Sequence, residues 1–164
     1  SPLLNLQGEA VGLVADAIGG PAGIGGIGVA VPGDLVAQSI ADLERFGVPQ
    51  RGWLGASLIS LDELPPVLLR AVGLTSTQGA MVDRVEPGSP AARAGLKGAQ
   101  RDTQGRLLAL GDVILAVDGV AVKDKADVVR LVAQRRPGDR VRLTLWRDRR
   151  RLEVTVVLMA RPRE

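Results

Sequence analysis

Met81 to Gly119 reads MVDRVEPGSPAARAGLKGAQRDTQGRLLALGDVILAVDG. Gly79 to Val85 has the apolar and β-branched composition of a strand, and Pro87-Gly88 ends it. Ser89-Pro90-Ala91-Ala92-Arg93-Ala94-Gly95 then obeys each local rule for a short helix. Ser89 caps it, Pro90 takes the first helical position where no N–H is needed, and Gly95 makes the left-handed exit. Lys97 to Leu110 reads as a polar loop, Asp112 to Val117 as a second strand, and Asp118-Gly119 as the turn after it. A small, strand-rich domain with brief helices follows from this stretch alone.

Downstream, Asp124 or Lys125 begins a longer helix that runs to about Arg136. Its basic last turn suits the helix dipole, and Pro137-Gly138 stops it. Val141, Leu143 and Leu145 alternate with polar residues, as do Leu152, Val154, Val156 and Leu158. The pair reads as a hairpin turning near Asp148-Arg149. Upstream, Arg51 to Leu61 reads as a strand entered through Gly52 and Gly55. Asp62 to Val72 reads as a helix with Pro65-Pro66 in its first turn and Gly73 at its end.

A short linker at 49–50 separates this unit, 51–160 with a tail at 161–164, from residues 1–48. There Leu3 to Val14 reads as two strands joined at Gln7-Gly8, and a glycine-rich link spans Gly19 to Gly28. A strand over Gly28–Val31 leads into a helix over Leu35–Phe46, with Asp34 as the candidate N-cap and Gly47 at the end. Leu35, Val36, Ser39, Ile40, Leu43 and Phe46 give that helix one apolar face. The fold class expected for the whole is α+β, mostly β.

Composition narrows the function. The 164 residues are 46% hydrophobic but only 2% aromatic, so the core is built from Val, Leu, Ile and Ala. Without histidine, a Ser-His-Asp or Cys-His arrangement cannot form inside this chain, and no catalytic residue is assigned. Without cysteine, metal binding would rest on carboxylates, and they form no cluster in the sequence; neither metal nor cofactor is expected. The net charge of +3 comes mostly from arginines in the C-terminal third. Nucleic-acid binding would require interleaved aromatics or a recognition helix, so the arginines read as a solvated face and a hairpin tip. No apolar run is long enough to span a membrane. The chain opens mid-pattern at Ser1-Pro2-Leu3-Leu4, which predicts a piece of a longer protein.

Several motifs fail on physical grounds. Gly23-x-Gly25-x-x-Gly28 fits the dinucleotide fingerprint by letter, but Val29-Ala30-Val31-Pro32 follows where a helix N-terminus is required. Ser89 is better explained as a cap, and Ser1 has no base available. Asp112 and Asp118 sit at opposite ends of one strand, each beside a glycine, and read as turn residues rather than a catalytic pair. Arg51-Gly52-Trp53-Leu54-Gly55-Ala56 differs from these. A strand entered through glycines can aim successive N–H groups at one anion, although on residues alone a plain turn and strand is the simpler reading.

Taken together, RGWLG, GAMVDRVEPGSPAARAGL, LGDVILAVDG and PGDRVRLTLWRD resemble the PDZ domains of HtrA/Deg-type serine proteases. The resemblance implies a partly open β-barrel that holds peptides by strand addition, and it favours the anion-binding reading. Trp53, Leu54, Gly55 and Ala56 would form the carboxylate-binding loop, and Leu58 would lie on the augmented strand. Val129 and Val132 would line the side-chain pocket. Residues 1–48 resemble the last strands and C-terminal helix of the trypsin-like protease domain in that family. The nucleophile would then lie just before Ser1-Pro2-Leu3-Leu4-Asn5, and the histidine and aspartate further upstream. The implied partners are peptide or unfolded-protein C-termini, the remaining protease portion and other subunits of a homo-oligomer outside the cytoplasm. The competing expectation is a structural connector with no open groove.

Overall fold

The computed structural model describes residues 1–18 and 27–162. The chain divides into two compact units, Ser1–Gln50 and Arg51–Glu164. Most of the expected glycine-rich link, including Gly23 and Gly25, lies outside the described residues.

In the first unit, β1 (Pro2–Leu4), β2 (Ala10–Ile18) and β3 (Ile27–Pro32) form an antiparallel sheet in that order. The Asn5 side-chain oxygen accepts the N–H groups of Gln7 and Glu9, closing the turn between β1 and β2. The helix α1 (Gly33–Phe46) begins earlier than expected. Pro32 holds the N-cap position without a side-chain bond, and Asp34 lies inside the first turn, accepting from Leu35. At its end Gly47 adopts φ 74° and donates to the Leu43 carbonyl. The apolar face foreseen for α1 exists, yet Leu35, Ile40, Leu43 and Phe46 are exposed. The buried residue of the helix is Asp42, which accepts the Gln50 N–H at 3.0 Å.

The second unit is mostly strand. In chain order it comprises β4 (Gly52–Trp53), β5 (Ala56–Ser60), a 3-10 turn (Leu61–Glu63), α2 (Pro66–Ala71), β6 (Ala80–Val85) and α3 (Pro90–Arg93). Next come β7 (Gln100–Arg101), β8 (Leu107–Ala109), β9 (Val113–Val117), β10 (Val120–Ala121) and α4 (Lys125–Ala133). The chain closes with β11 (Arg140–Arg147), β12 (Arg150–Val157) and β13 (Met159–Ala160). The main sheet runs β12-β11-β9-β6-β5, with β10 folded back on β9, while β13 pairs with β4 and β7 with β8.

Alternation along the strands sorts the core to two faces. Val82, Ile114, Leu143 and Leu145 join Val128 and Val132 of α4 on one side. Leu61, Leu69, Met81 and Val113 pack on the other. The β11–β12 hairpin turns where expected, with Asp148 at φ 50° and Arg149 at φ 61°, the paired left-handed geometry of a tight hairpin. The α3 cap is also as expected, since the Ser89 hydroxyl accepts the Ala92 N–H at 3.2 Å.

Several details differ from the sequence reading; among them, α4 ends at Ala133 rather than near Arg136. The expected strand over Arg51–Leu61 is interrupted at Leu54-Gly55 and ends at Ser60. The Asp62–Val72 helix is a 3-10 turn followed by a shorter α2. The Lys97–Leu110 stretch contains the small β7–β8 ladder, and Arg101 bonds Asp83 across the chain at 2.6 Å. Asp112 is not merely a turn residue. It is buried, accepts the Lys97 N–H at 2.8 Å and pairs with Arg147 at 2.6 Å, which also removes Arg147 from the solvated basic face. The pairing holds the Arg147 guanidinium above its usual pKa.

Candidate functional site

β5 is the terminal strand of the main sheet, bonded only to β6 along that path. The Gly55 carbonyl accepts the Glu86 N–H at 2.9 Å while Ala56 stands opposite Val85. Ala56 and Val85 therefore form a non-hydrogen-bonded pair, and Ala56 turns its own N–H and C=O toward the open edge. The register shifts between Ser57 and Leu58, and Leu58 stands opposite Val82, whose N–H donates to Asp112 and whose C=O accepts from Ala99, so Leu58 also turns its backbone groups toward the open edge. The series stops at Ser60, whose N–H already donates to Glu63 Oε2 at 2.9 Å.

The break before β5 has its own geometry. The Leu54 carbonyl accepts the Ala91 N–H at 2.9 Å. In a trans peptide the N–H points opposite to the C=O, so the Gly55 N–H is turned away from α3. Among the described residues no protein acceptor receives it. Gly55 sits at φ 73°, and a Cβ there would collide with Ser89 Cβ. The position thus needs glycine twice over, for backbone strain and for space. Gly52 needs it for space alone, because a Cβ would come within 2.6 Å of the Val132 carbonyl.

The helix α4 is fastened to this strip at both of its ends. Gly52 N–H donates to the Arg135 carbonyl at 2.7 Å, just beyond the helix C-terminus. Lys125 N–H, at the helix start, donates to Ser60 Oγ at 3.0 Å. Lys125 Nζ also lies 3.3 Å from Glu63 Oε2. The Ser60 N–H and then Lys125 hold the Glu63 carboxyl below the usual range. Asp124 caps α4 by accepting the Asp127 N–H.

The residues singled out from sequence fall as follows. Trp53 is half-buried and pairs with Met159, whereas Leu54 and Gly55 are buried. Ala56 and Leu58 are half-buried and pack on the main core. Together Trp53 to Leu58 make one continuous strip ending in the open edge. On α4, Val132 is buried in the core at 4% exposure, while Val129, three positions earlier, is 60% exposed. Sequence reasoning missed Ser60, Glu63 and Lys125. A local signal was present, because Ser60-x-x-Glu63 has the spacing of a capping box. A separate concavity of about 440 Å³, lined by Val72, Lys97, Leu108, Trp146 and Arg147, involves none of the strip residues. Among the described residues, no group of three or more acidic side chains is placed to hold a metal.

A PDZ domain family model matches residues 52–158, from β4 to the end of the main sheet. The chain belongs to the PDZ domain family. It is also an HtrA/DegP-type relative. It is 31% identical over 163 residues to a probable periplasmic serine endoprotease DegP-like of Brucella suis, covering 99% of this chain and 29% of that protein. This chain therefore spans under a third of that relative's length. Among solved structures, the HtrA-type protease AlgW with tripeptide is similar at TM-score 0.70 and 29% identity. The match covers 99% of this chain and 49% of that one. AlgW with decapeptide matches at TM-score 0.68 and 29% identity, covering 99% and 46%. Among the described residues, no helix of this PDZ-family chain is long and apolar enough to cross a membrane.

Proposed function

We propose that the Arg51–Glu164 unit binds the free C-terminal end of an extended peptide and serves as the regulatory module of an HtrA/Deg-type serine endopeptidase in protein quality control. The observation that carries this reading is the free edge of β5, where Ala56 and Leu58 turn backbone donors and acceptors outward beside the unpartnered Gly55 N–H. The ligand carboxylate rests on the Gly55 and Ala56 amides, its strand extends β5, and its last side chain lies toward Leu58 and the Val129–Val132 face of α4. The peptides named with AlgW support the same class of ligand.

Magnitudes point to release as well as capture. One apolar side chain in a pocket contributes about 1.5–3 kcal/mol. Each charge-assisted amide bond to the carboxylate adds roughly 1.5–3 kcal/mol. Ordering and immobilising the peptide costs about 4–15 kcal/mol. These gains and costs nearly cancel, so the surplus is modest and binding is expected to be micromolar or weaker rather than nanomolar. Calorimetry with a valine-terminated peptide tests this, with binding expected for the free acid and lost for the C-terminal amide. Equal binding of both would overturn it.

The Ser1–Gln50 unit is read as the end of a trypsin-like protease domain. Its exposed Leu35, Ile40, Leu43 and Phe46 support a surface that the remaining protease portion or another subunit covers. That same observation favours a second reading, in which the chain's main role is assembly of a homo-oligomer. The periplasmic relatives support a location outside the cytoplasm.

A further inference from the structure

We infer that the concavity on the face of the main sheet opposite α4 is a second binding site, one that takes a small aromatic carboxylate. Its volume of about 440 Å³ lies within the roughly 300–1,000 Å³ of small-molecule sites. Three separate segments meet there: Ala71 and Val72 at the end of α2, the stem and second strand of the β7–β8 ladder, and Trp146 to Arg149 at the β11–β12 turn. Hydrogen bonds fix these walls before any ligand arrives. Trp146 Nε1 donates to the Val72 carbonyl at 2.9 Å and Arg149 Nη2 to the Ala71 carbonyl at 2.8 Å, tying the end of α2 to the hairpin. On the other side, the Ala99 N–H donates to the Val82 carbonyl at 3.0 Å and the Asp112 N–H to the Lys97 carbonyl at 2.9 Å, tying the stem of the ladder to β6.

The lining decides the chemistry of the ligand. Trp146 spends its N–H on Val72, so with Val72, Leu108 and Leu110 it offers carbon to the cavity. Leu108 is 68% exposed, and a flat apolar body laid against it and the indole takes that surface out of water. Charge is unbalanced: Lys97, Arg147 and Arg149 line the cavity against Asp112 and Asp148. Arg147 is already engaged by Asp112 at 2.6 Å and by the Gly95 carbonyl at 2.9 Å. Among the described residues the Lys97 ammonium has no partner, and the Arg149 guanidinium donates only through Nη2. The site is therefore short of one negative charge, which a single carboxylate supplies. No residue from Trp53 to Leu58 lines it, so it is separate from the open edge of β5.

Amide and indole N–H shift mapping on the full chain, titrated with cinnamate and with its neutral counterpart cinnamamide, tests the site. For cinnamate, saturable shifts are expected on Lys97, Leu108 and the Trp146 indole, with a Kd of about 0.3–3 mM for so small a ligand. Cinnamamide should bind at least about fivefold more weakly. Lys97→Met removes the unpartnered charge and Leu108→Ser the exposed apolar wall, and each should weaken cinnamate about three- to tenfold. Both side chains are exposed, so both variants should melt as the unaltered chain does. The titration reads this site whether or not β5 takes a peptide. Shifts centred on Gly55 to Leu58, or shifts that never saturate and spread over the arginine-rich surface, would overturn the inference. So would equal binding of acid and amide, or Lys97→Met and Leu108→Ser variants that melt normally and bind cinnamate as tightly as before.

Discussion

The two units use the same residue types to opposite effect. In Ser1–Gln50 the amphipathic face of α1 leaves Ile40 at 51% and Leu43 at 49% exposure, while its buried side chain is Asp42. In Arg51–Glu164 the alternating strands bury Ile114, Leu143 and Leu145 completely, and the buried carboxylate Asp112 has a guanidinium partner. Both segments have the periodicity of secondary structure. Among the described residues, only the second closes a core around it. Periodicity thus specifies which face is apolar, whereas stability depends on what covers that face.

The sharpest way to break this contrast is Arg147→Ala, which leaves Asp112 buried without its ion-pair partner. Urea unfolding of the second unit should show a loss of about 3–5 kcal/mol. Truncating matched leucines comes next. Leu143→Ala should cost about 2–5 kcal/mol in the same measurement, and Leu43→Ala on α1 should stay within about 0.5 kcal/mol. A large loss for Leu43→Ala would mean that the first unit has more of a core than its exposure indicates.

A smaller effect is expected at the break before β5. Gly55→Ala must adopt a left-handed backbone and displace Ser89, which should lower stability by about 1–3 kcal/mol and abolish peptide binding by calorimetry. The smallest effect concerns acid. Glu63 has its pKa lowered in the folded state, so its contribution to stability is complete above the pKa of an unfolded glutamate. It fades as pH falls through the lowered folded value. Thermal melts from neutral to acidic pH should show a slightly shallower decline for Glu63→Gln than for the unaltered chain.

What could be read from the sequence was local. The α3 cap needs only Ser89, Pro90 and Gly95, and the β11–β12 hairpin needs only alternation and a two-residue turn. The interruption at Leu54-Gly55 was hidden because it depends on distant bonds from Ala91 and Glu86. The polar composition of Lys97–Leu110 concealed a ladder braced by Asp83, 18 residues before Arg101. Helix α4 stops at Ala133 rather than near Arg136, and the Arg135 carbonyl bonds Gly52 from a different part of the fold. In the candidate site, Trp53 to Leu58 were legible as a glycine-entered strand. The outward direction of Ala56 and Leu58 required the register with β6, which no local pattern encodes.

Amide chemical-shift mapping during titration with a valine-terminated free-acid peptide tests the central claim most directly. The account predicts that the largest shifts fall on Gly55, Ala56 and Leu58, with smaller ones on α4, and that the C-terminal amide produces none. Shifts centred instead on Leu108 and Trp146, or an undisturbed β5 at saturating peptide, would contradict it.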